Sequence, residues 1–456
     1  MTLRVGSPRL ALALLLIFVA GAFPGCRRGL MAPAVEEPAR FRIAMIPDTQ
    51  NYVDYTHQRD QGFALDASRQ FIQQMAWVAA RARSKGGDIA FVASVGDVWQ
   101  HQTLLIDEAH AARGLGRLEK SVFADAFSPT QAVFDIEIPK AIEGYELIDA
   151  AGIPFGVAPG NHDYDAMWSV VGFAPNFDKK PIELTFAPED LGMLHIGGLD
   201  NFRSAFGDDK KFFADKDWYI ASFRGGANSA QIFEAGGYRF LHLALEMAAD
   251  DEVVAWAQSV IDAHPKHPTI ITTHDYLDSR AERLPNPIID LDRVDPDHHN
   301  SADELFAKLI APNDQVFMLL CGHEHGQALR IDRNEAGHAV YQILADYQDR
   351  GQSGLDAGQP PDAFRRGPVG IGDGWLRLLE FDLGGHMPTL EVRTYSTLYG
   401  MFSSELGSYA AWYRAHEQPD MTDVEFHAAD EFELELRDFR ARFGASGQSV
   451  EVSSAR

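Results

Sequence analysis

Residues 41–50 read FRIAMIPDTQ and residues 88–97 read DIAFVASVGD, two apolar runs that each stop on an aspartate. Between them Phe71, Ile72, Met75, Val78, Ala79 and Ala82 recur at helical spacing, and Gly86-Gly87 closes that helix before the second run begins. The pattern predicts a strand from Phe41, a helix, and a strand over 88–95 parallel to the first, which is the β-α-β unit of an α/β fold.

The same grammar extends outward. Val253, Val254, Trp256, Ala257, Val260 and Ile261 mark a helix that ends at His264-Pro265 and feeds the run 268–273. Ser301, with Glu304 three residues on, starts another by a capping box, and that helix feeds the run 315–321. Hairpins are expected where 231–233 and 238–245 flank Gly236-Gly237, and where 375–383 and 390–395 flank Gly384-Gly385. The sheets are therefore expected to be mixed. Phe432, Leu434 and Leu436 alternate with Glu431, Glu433 and Glu435, a last strand with one wet face.

Composition bounds what this fold can do. A chain of 456 residues, 46% hydrophobic and 23% charged, is neither disordered nor a coiled coil. Its net charge of −26 repels a phosphate backbone, so specific nucleic-acid binding is not expected. Cys26 and Cys321 are the two cysteines and make no disulfide framework. Cys321 lies within an apolar run and reads as a small buried hydrophobe.

The beginning of the chain reads as an address. Arg4 and Arg9 precede the apolar run 10–23, too short to span a bilayer comfortably, so residues 1–25 are expected to be a signal peptide. Gly25-Cys26 resembles the lipobox of bacterial lipoproteins, although Phe23 and Pro24 depart from its usual pattern. Export follows on either reading, to a membrane-anchored place in the cell envelope through lipid on Cys26 or to the exterior after cleavage nearby. Residues 26–40 form a tether, 41–440 the folded domain with insertions near 101–130 and 165–230, and 441–456 a flexible tail. Nothing in the chain marks a protein partner.

Five apolar runs end directly in a metal-ligand residue type: 41–47 before Asp48, 89–96 before Asp97, 153–160 before Asn161-His162-Asp163, 268–273 before His274, and 315–322 before His323-Glu324-His325. Ligands of open α/β sheets gather outside the carboxyl ends of strands. Carboxylates, imidazoles and an amide oxygen in this number exceed what one ion needs and suit two hard or borderline ions. A lone histidine such as His274 is ordinarily a core or loop residue, and Asp48 or Asp97 alone an ordinary turn; their order after successive strands argues otherwise. Asp163, Asp275 and Glu324 read as supports of neighbouring ligands, and His298-His299 as a solvated loop.

These residues resemble the calcineurin-like metallophosphoesterases, through Asp48-Thr49-Gln50 (where that family has Asp-x-His), Gly96-Asp97, Gly160-Asn161-His162-Asp163, His274 and Gly322-His323-Glu324-His325. The resemblance covers roughly residues 41 to 400 and belongs with an Asp-Thr-Gln subgroup. It implies a sandwich of two mixed β-sheets flanked by helices, and two divalent or trivalent ions of Fe, Mn or Zn. Asp97 is implied to bridge them, with Asp48, Gln50 and His325 on the first and Asn161, His274 and His323 on the second. Gln50 replaces a histidine by a weaker, uncharged ligand and implies a looser first site. The implied reaction is hydrolysis of a phosphate mono- or diester by hydroxide held between the ions, with His162 serving the leaving oxygen. The alternative is an inactive metal- or partner-binding surface lipoprotein.

Overall fold

The computed structural model describes residues 39–54, 66–103, 107–114, 129–170, 174–180, 183–185, 187–348, 350–351, 371–406, 414 and 418–444. The expected signal peptide, Cys26, residues 27–38 of the tether and residues 445–456 of the tail lie outside them. Among the described residues no helix is long and apolar enough to cross a membrane.

β1 (Arg40–Ile46) and β2 (Ile89–Ser94) pair in parallel across the helix Ser68–Ala80, as the opening runs predict. β3 (Phe155–Val157) adds to β2 in parallel after the helix Ile138–Ala150. β4 (Ala166–Ser169) and β5 (Leu194–Gly197) pair only with each other among the described residues. A second sheet is laid down by β6 (Tyr219–Phe223), β7 (Asn228–Ala235), β8 (Tyr238–Ala244), β9 (Thr269–Thr272), β10 (Val316–Cys321), β11 (Gly326–Arg333) and β12 (Ala339–Asp346). Its order is β11-β12-β10-β9-β8-β7-β6, with β8, β9, β10 and β12 parallel and β6, β7 and β11 antiparallel to their neighbours. The chain then returns to the first sheet as β13 (Trp375–Asp382), β14 (Thr389–Ser396), β15 (Met401–Phe402) and β16 (Phe432–Glu435). That sheet runs β15-β14-β13-β1-β2-β3, with β16 also on β14. Both sheets are mixed, and the architecture is α/β.

The period-two alternation of β1 assigns its two faces. Ile43 and Met45 join Phe240, Phe317 and Ile343 in the core between the sheets, whereas Ala44 and Ile46 join Phe71, Met75 and Val78 under the first helix layer. On the far face of the second sheet Leu241, Leu243 and Ile271 pack against Val253, Ala257 and Val260 of the helix Asp251–Ala263. Helices thus cover both outer faces, which is why the parallel strands carry no polar side. Ser301 and Glu304 form the expected capping box, and Cys321 is fully buried.

Two anchors tie the end of the chain to this body. Arg350, leaving β12, donates to both oxygens of Asp430 (3.0 and 3.1 Å) and to Gln327 Oε1 (3.0 Å) beneath the Tyr347 ring. The helix Phe439–Phe443 seats Phe439 against Phe317 and Tyr238, with ring centroids 5.4 and 5.1 Å away. Arg442 donates to the Ala339 carbonyl at 2.8 Å. Folded structure therefore continues past residue 440 to Gly444, because these aromatic and guanidinium contacts outweigh the polar composition that follows.

Candidate metal centre

The parallel strands of both sheets deliver their carboxyl ends to one place. Asp48 follows β1, Asp97 follows β2, Asn161 follows β3, His274 follows β9 and His323 follows β10. His274 Nε2 lies 3.1 Å from Asn161 Oδ1, 3.3 Å from Asp97 Oδ1, 3.2 Å from His323 Nδ1 and 4.0 Å from Asp48 Oδ2. His274 Nδ1 donates to the Val95 carbonyl (2.8 Å), which fixes the ring and turns Nε2 toward the cluster. The His323 backbone N–H donates to Asp48 Oδ2 at 3.2 Å. Gln50 Nε2 donates to Asp97 Oδ2 at 3.1 Å.

The glycines before Asn161 and His323 are dictated by this crowding. A Cβ on Gly160 would come within 2.2 Å of Asp97 Oδ1, and one on Gly322 within 2.2 Å of Asp48 Oδ1. Asp97 and His323 themselves adopt left-handed backbone, with φ of 47° and 70°. Such conformations cost free energy for a side-chain-bearing residue and persist only where the surroundings impose them.

Buried polar atoms without partners test whether these residues fit metal ions. Asp48 Oδ1, Gln50 Oε1 and His323 Nε2 are each buried without a hydrogen bond. All three are ordinary metal-donor atoms, and leaving them unpaired would cost about 1–3 kcal/mol each in a purely structural cluster. Asp97, His274 and His323 also lie close enough together to share one ion. The residues fit a bound cation.

The electrostatics of the cluster have the same sense. Burial raises the Asp48 carboxyl well above its ordinary range, and the charge of Asp346 adds to that. Burial also opposes charge on Asp97, but His274 and His162 outweigh it and hold that carboxyl below the usual range. Burial would lower His274, yet Asp97 and Asp48 push it up to about 10. His323 is brought down to about 4 by burial and by neighbouring His274. A cation entering such a cluster replaces protons that these groups otherwise hold.

His162 stands at the rim of the carboxylates. Its backbone N–H donates to Asp97 Oδ1 (2.9 Å) and its Nε2 lies 3.9 Å from Asp97 Oδ2. Nδ1 donates to the Gln100 carbonyl at 2.5 Å. The N–H of that same peptide, on His101, donates to the buried Glu137 carboxylate at 3.0 Å. A buried anion thus polarises the peptide that orients His162. Asp163, beside it, accepts from Val98 N (2.8 Å) and Gly160 N (2.9 Å) and holds the turn.

His325 is placed differently from the other candidates. Its Nε2 is 2.9 Å from Gln348 Nε2 and 3.9 Å from Asp346 Oδ2. Asp346 and Glu137 are the residues that motif reasoning misses. Asp346 carried the same signal as the five strand-end candidates, because the apolar run 339–345 ends on it. Glu137 left none, since it acts through a backbone peptide.

Among the described residues three further groups could hold a metal by spacing alone: His195, Asp295 and His299; Asp54, His101 and Glu137; and Asp275, His323 and Glu324, which shares His323 with the cluster above. In the first, Arg113 (2.6 Å), His195 (2.8 Å) and His298 (2.9 Å) already saturate Asp295. His298 is exposed, as a solvated loop predicts, and pairs with Asp295, whereas His299 is half-buried with its ring 5.7 Å from that of His195.

No protein-family profile matches the chain. The chain is 27% identical over 256 residues to the uncharacterized protein YvnB of Bacillus subtilis (strain 168), a match spanning 55% of this chain and 15% of that protein's length. Among solved structures it is similar to a dimetal phosphatase from Danio rerio, with 10% identity, 79% of this chain and 96% of that chain covered, and a TM-score of 0.36.

Proposed function

We propose that this chain is a dinuclear metal-dependent phosphoesterase that hydrolyses a phosphate mono- or diester. The observation that carries the reading is the meeting of Asp48, Asp97, Asn161, His274 and His323 from five strand ends, with buried donor atoms on Asp48, Gln50 and His323 left unpaired. When bound, two ions of Fe, Mn or Zn would lower the pKa of a water between them and neutralise charge on the phosphoryl oxygens. Asp97 would serve both ions, Asp48, Gln50 and His325 the first, and Asn161, His274 and His323 the second. Asn161 also offers its amide to a phosphate oxygen. His162 carries the proton for the leaving oxygen, with Nδ1 held by Gln100 so that Nε2 is the working atom. The test is metal content of the purified chain, followed by hydrolysis of a chromogenic phosphate monoester and diester. Two bound ions with turnover of either ester are expected, and a metal-loaded protein inert to both would refute the reading.

The amide at position 50 sets a second expectation. Gln50 spends its Nε2 on Asp97 and leaves only a neutral oxygen for an ion, so Gln50→His is expected to tighten the first ion on the order of tenfold. Chelator titration of both proteins measures this, and identical release curves would count against it. For location, we propose export with lipid on Cys26. Cys26→Ser is then expected to move the chain from sedimented membranes to the supernatant. A cleaved, unlipidated chain that still sediments would exclude the anchor.

A further inference from the structure

β12 is a further apolar run that ends on a ligand-type residue. It lies parallel to β10 with Leu344 opposite Cys321, so Asp346 leaves the sheet beside Gly322-His323-Glu324-His325. Asp346 is fully buried, as are Asp48 and Asp97 within about a hundredth of their surface. Three carboxylates therefore share one interior. Their negative charge is not met by a lysine or arginine in any described ion pair; the cationic partners are histidines alone.

The contacts of Asp346 mark where a cation fits. Gln348 Nε2 sits between His325 Nε2 (2.9 Å) and Asp346 Oδ2 (3.1 Å), and the Gln348 backbone N–H donates to Asp346 Oδ1 at 2.9 Å. An amide NH₂ facing an imidazole nitrogen and a carboxylate oxygen at once stands where a metal would accept both. Unpaired Asp48 Oδ1 and Gln50 Oε1 supply further oxygen donors in the same interior. Arg350, locked to Asp430 and Gln327, keeps this segment in place.

We infer that Asp346 is a ligand of the first ion, supplying the strong anionic donor that Gln50 lacks. The inference rests on the dinuclear reading above. It makes the first site rich in oxygen (Asp48, Asp97, Asp346, Gln50, with His325) and the second rich in nitrogen (His274, His323, with Asn161). Oxygen-rich sets suit hard ions, so the first site discriminates against Mn²⁺ less than the nitrogen-rich second site does.

The experiment titrates Mn²⁺ into the chelator-stripped full chain and counts bound ions by electron paramagnetic resonance. The wild type is expected to bind two. Asp346→Asn and Asp346→Ala are expected to weaken one class of site by roughly 10–100-fold and leave the other unchanged, whereas Asp346→Glu, which keeps the carboxylate, retains both. Two sites of wild-type affinity in the Asn and Ala variants would overturn the inference. So would loss of both classes, which would make Asp346 a support of the whole centre and not a ligand of one ion. A wild type that binds no Mn²⁺ or Zn²⁺ would instead remove the dinuclear reading itself.

Discussion

Asp97→Asn is expected to lose both ions together and to lower phosphoester hydrolysis by roughly 10³-fold or more, because one carboxylate serves both halves of the centre. Asp97 Oδ1 faces His274 and accepts from His162 N–H, while Oδ2 accepts from Gln50. Its neighbours hold it ionised despite complete burial. An asparagine of the same shape removes the charge and presents an NH₂ either to the Gln50 amide or to the His162 N–H, donor against donor. Asparagine tolerates the left-handed backbone recorded at this position, so the fold is expected to survive and the loss to be one of charge. Metal analysis beside a thermal melt separates the two. Two ions retained in a cooperatively folded variant would remove Asp97 from the shared position.

His162→Ala is expected to behave oppositely, keeping both ions while kcat falls by roughly 10²–10⁴-fold. His162 meets Asp97 through its backbone N–H and a 3.9 Å approach of Nε2, and its Nδ1 is committed to Gln100. Its removal therefore leaves the proposed ligands intact. The loss should shrink for esters of acidic alcohols, whose leaving oxygens depart without a proton, and should be largest for alkyl esters. Rates across a series of leaving groups measure this. An equal loss for every ester, with metals retained, would take His162 out of the proton-carrying role and leave the metal assignment standing.

What the sequence makes legible here is local and periodic. β1 and β2 with the helix between them follow from apolar runs punctuated by Gly86-Gly87, and both hairpins follow from paired glycines. The meeting of Asp48, Asn161 and His274 follows from the strand-end rule. Asp346 obeys the same rule but bears no neighbouring glycine-histidine signature, so a reading led by motifs passes it over. Glu137 is illegible in principle, because its effect on His162 crosses a peptide bond of a loop whose path no side-chain pattern records. Nor does composition show that Phe439 and Arg442 carry the fold beyond residue 440, since both act on strands far away in sequence.

The positive φ angles of Asp97 and His323 set stability and chemistry against each other at single positions. Glycine in either place would relieve about 1 kcal/mol or more of backbone strain. A redesign guided by thermostability alone would therefore choose glycine at both, next to Gly96 and Gly322, and would erase two of the residues proposed to hold the ions. These two strained residues are ones an engineer seeking a hardier catalyst should leave untouched.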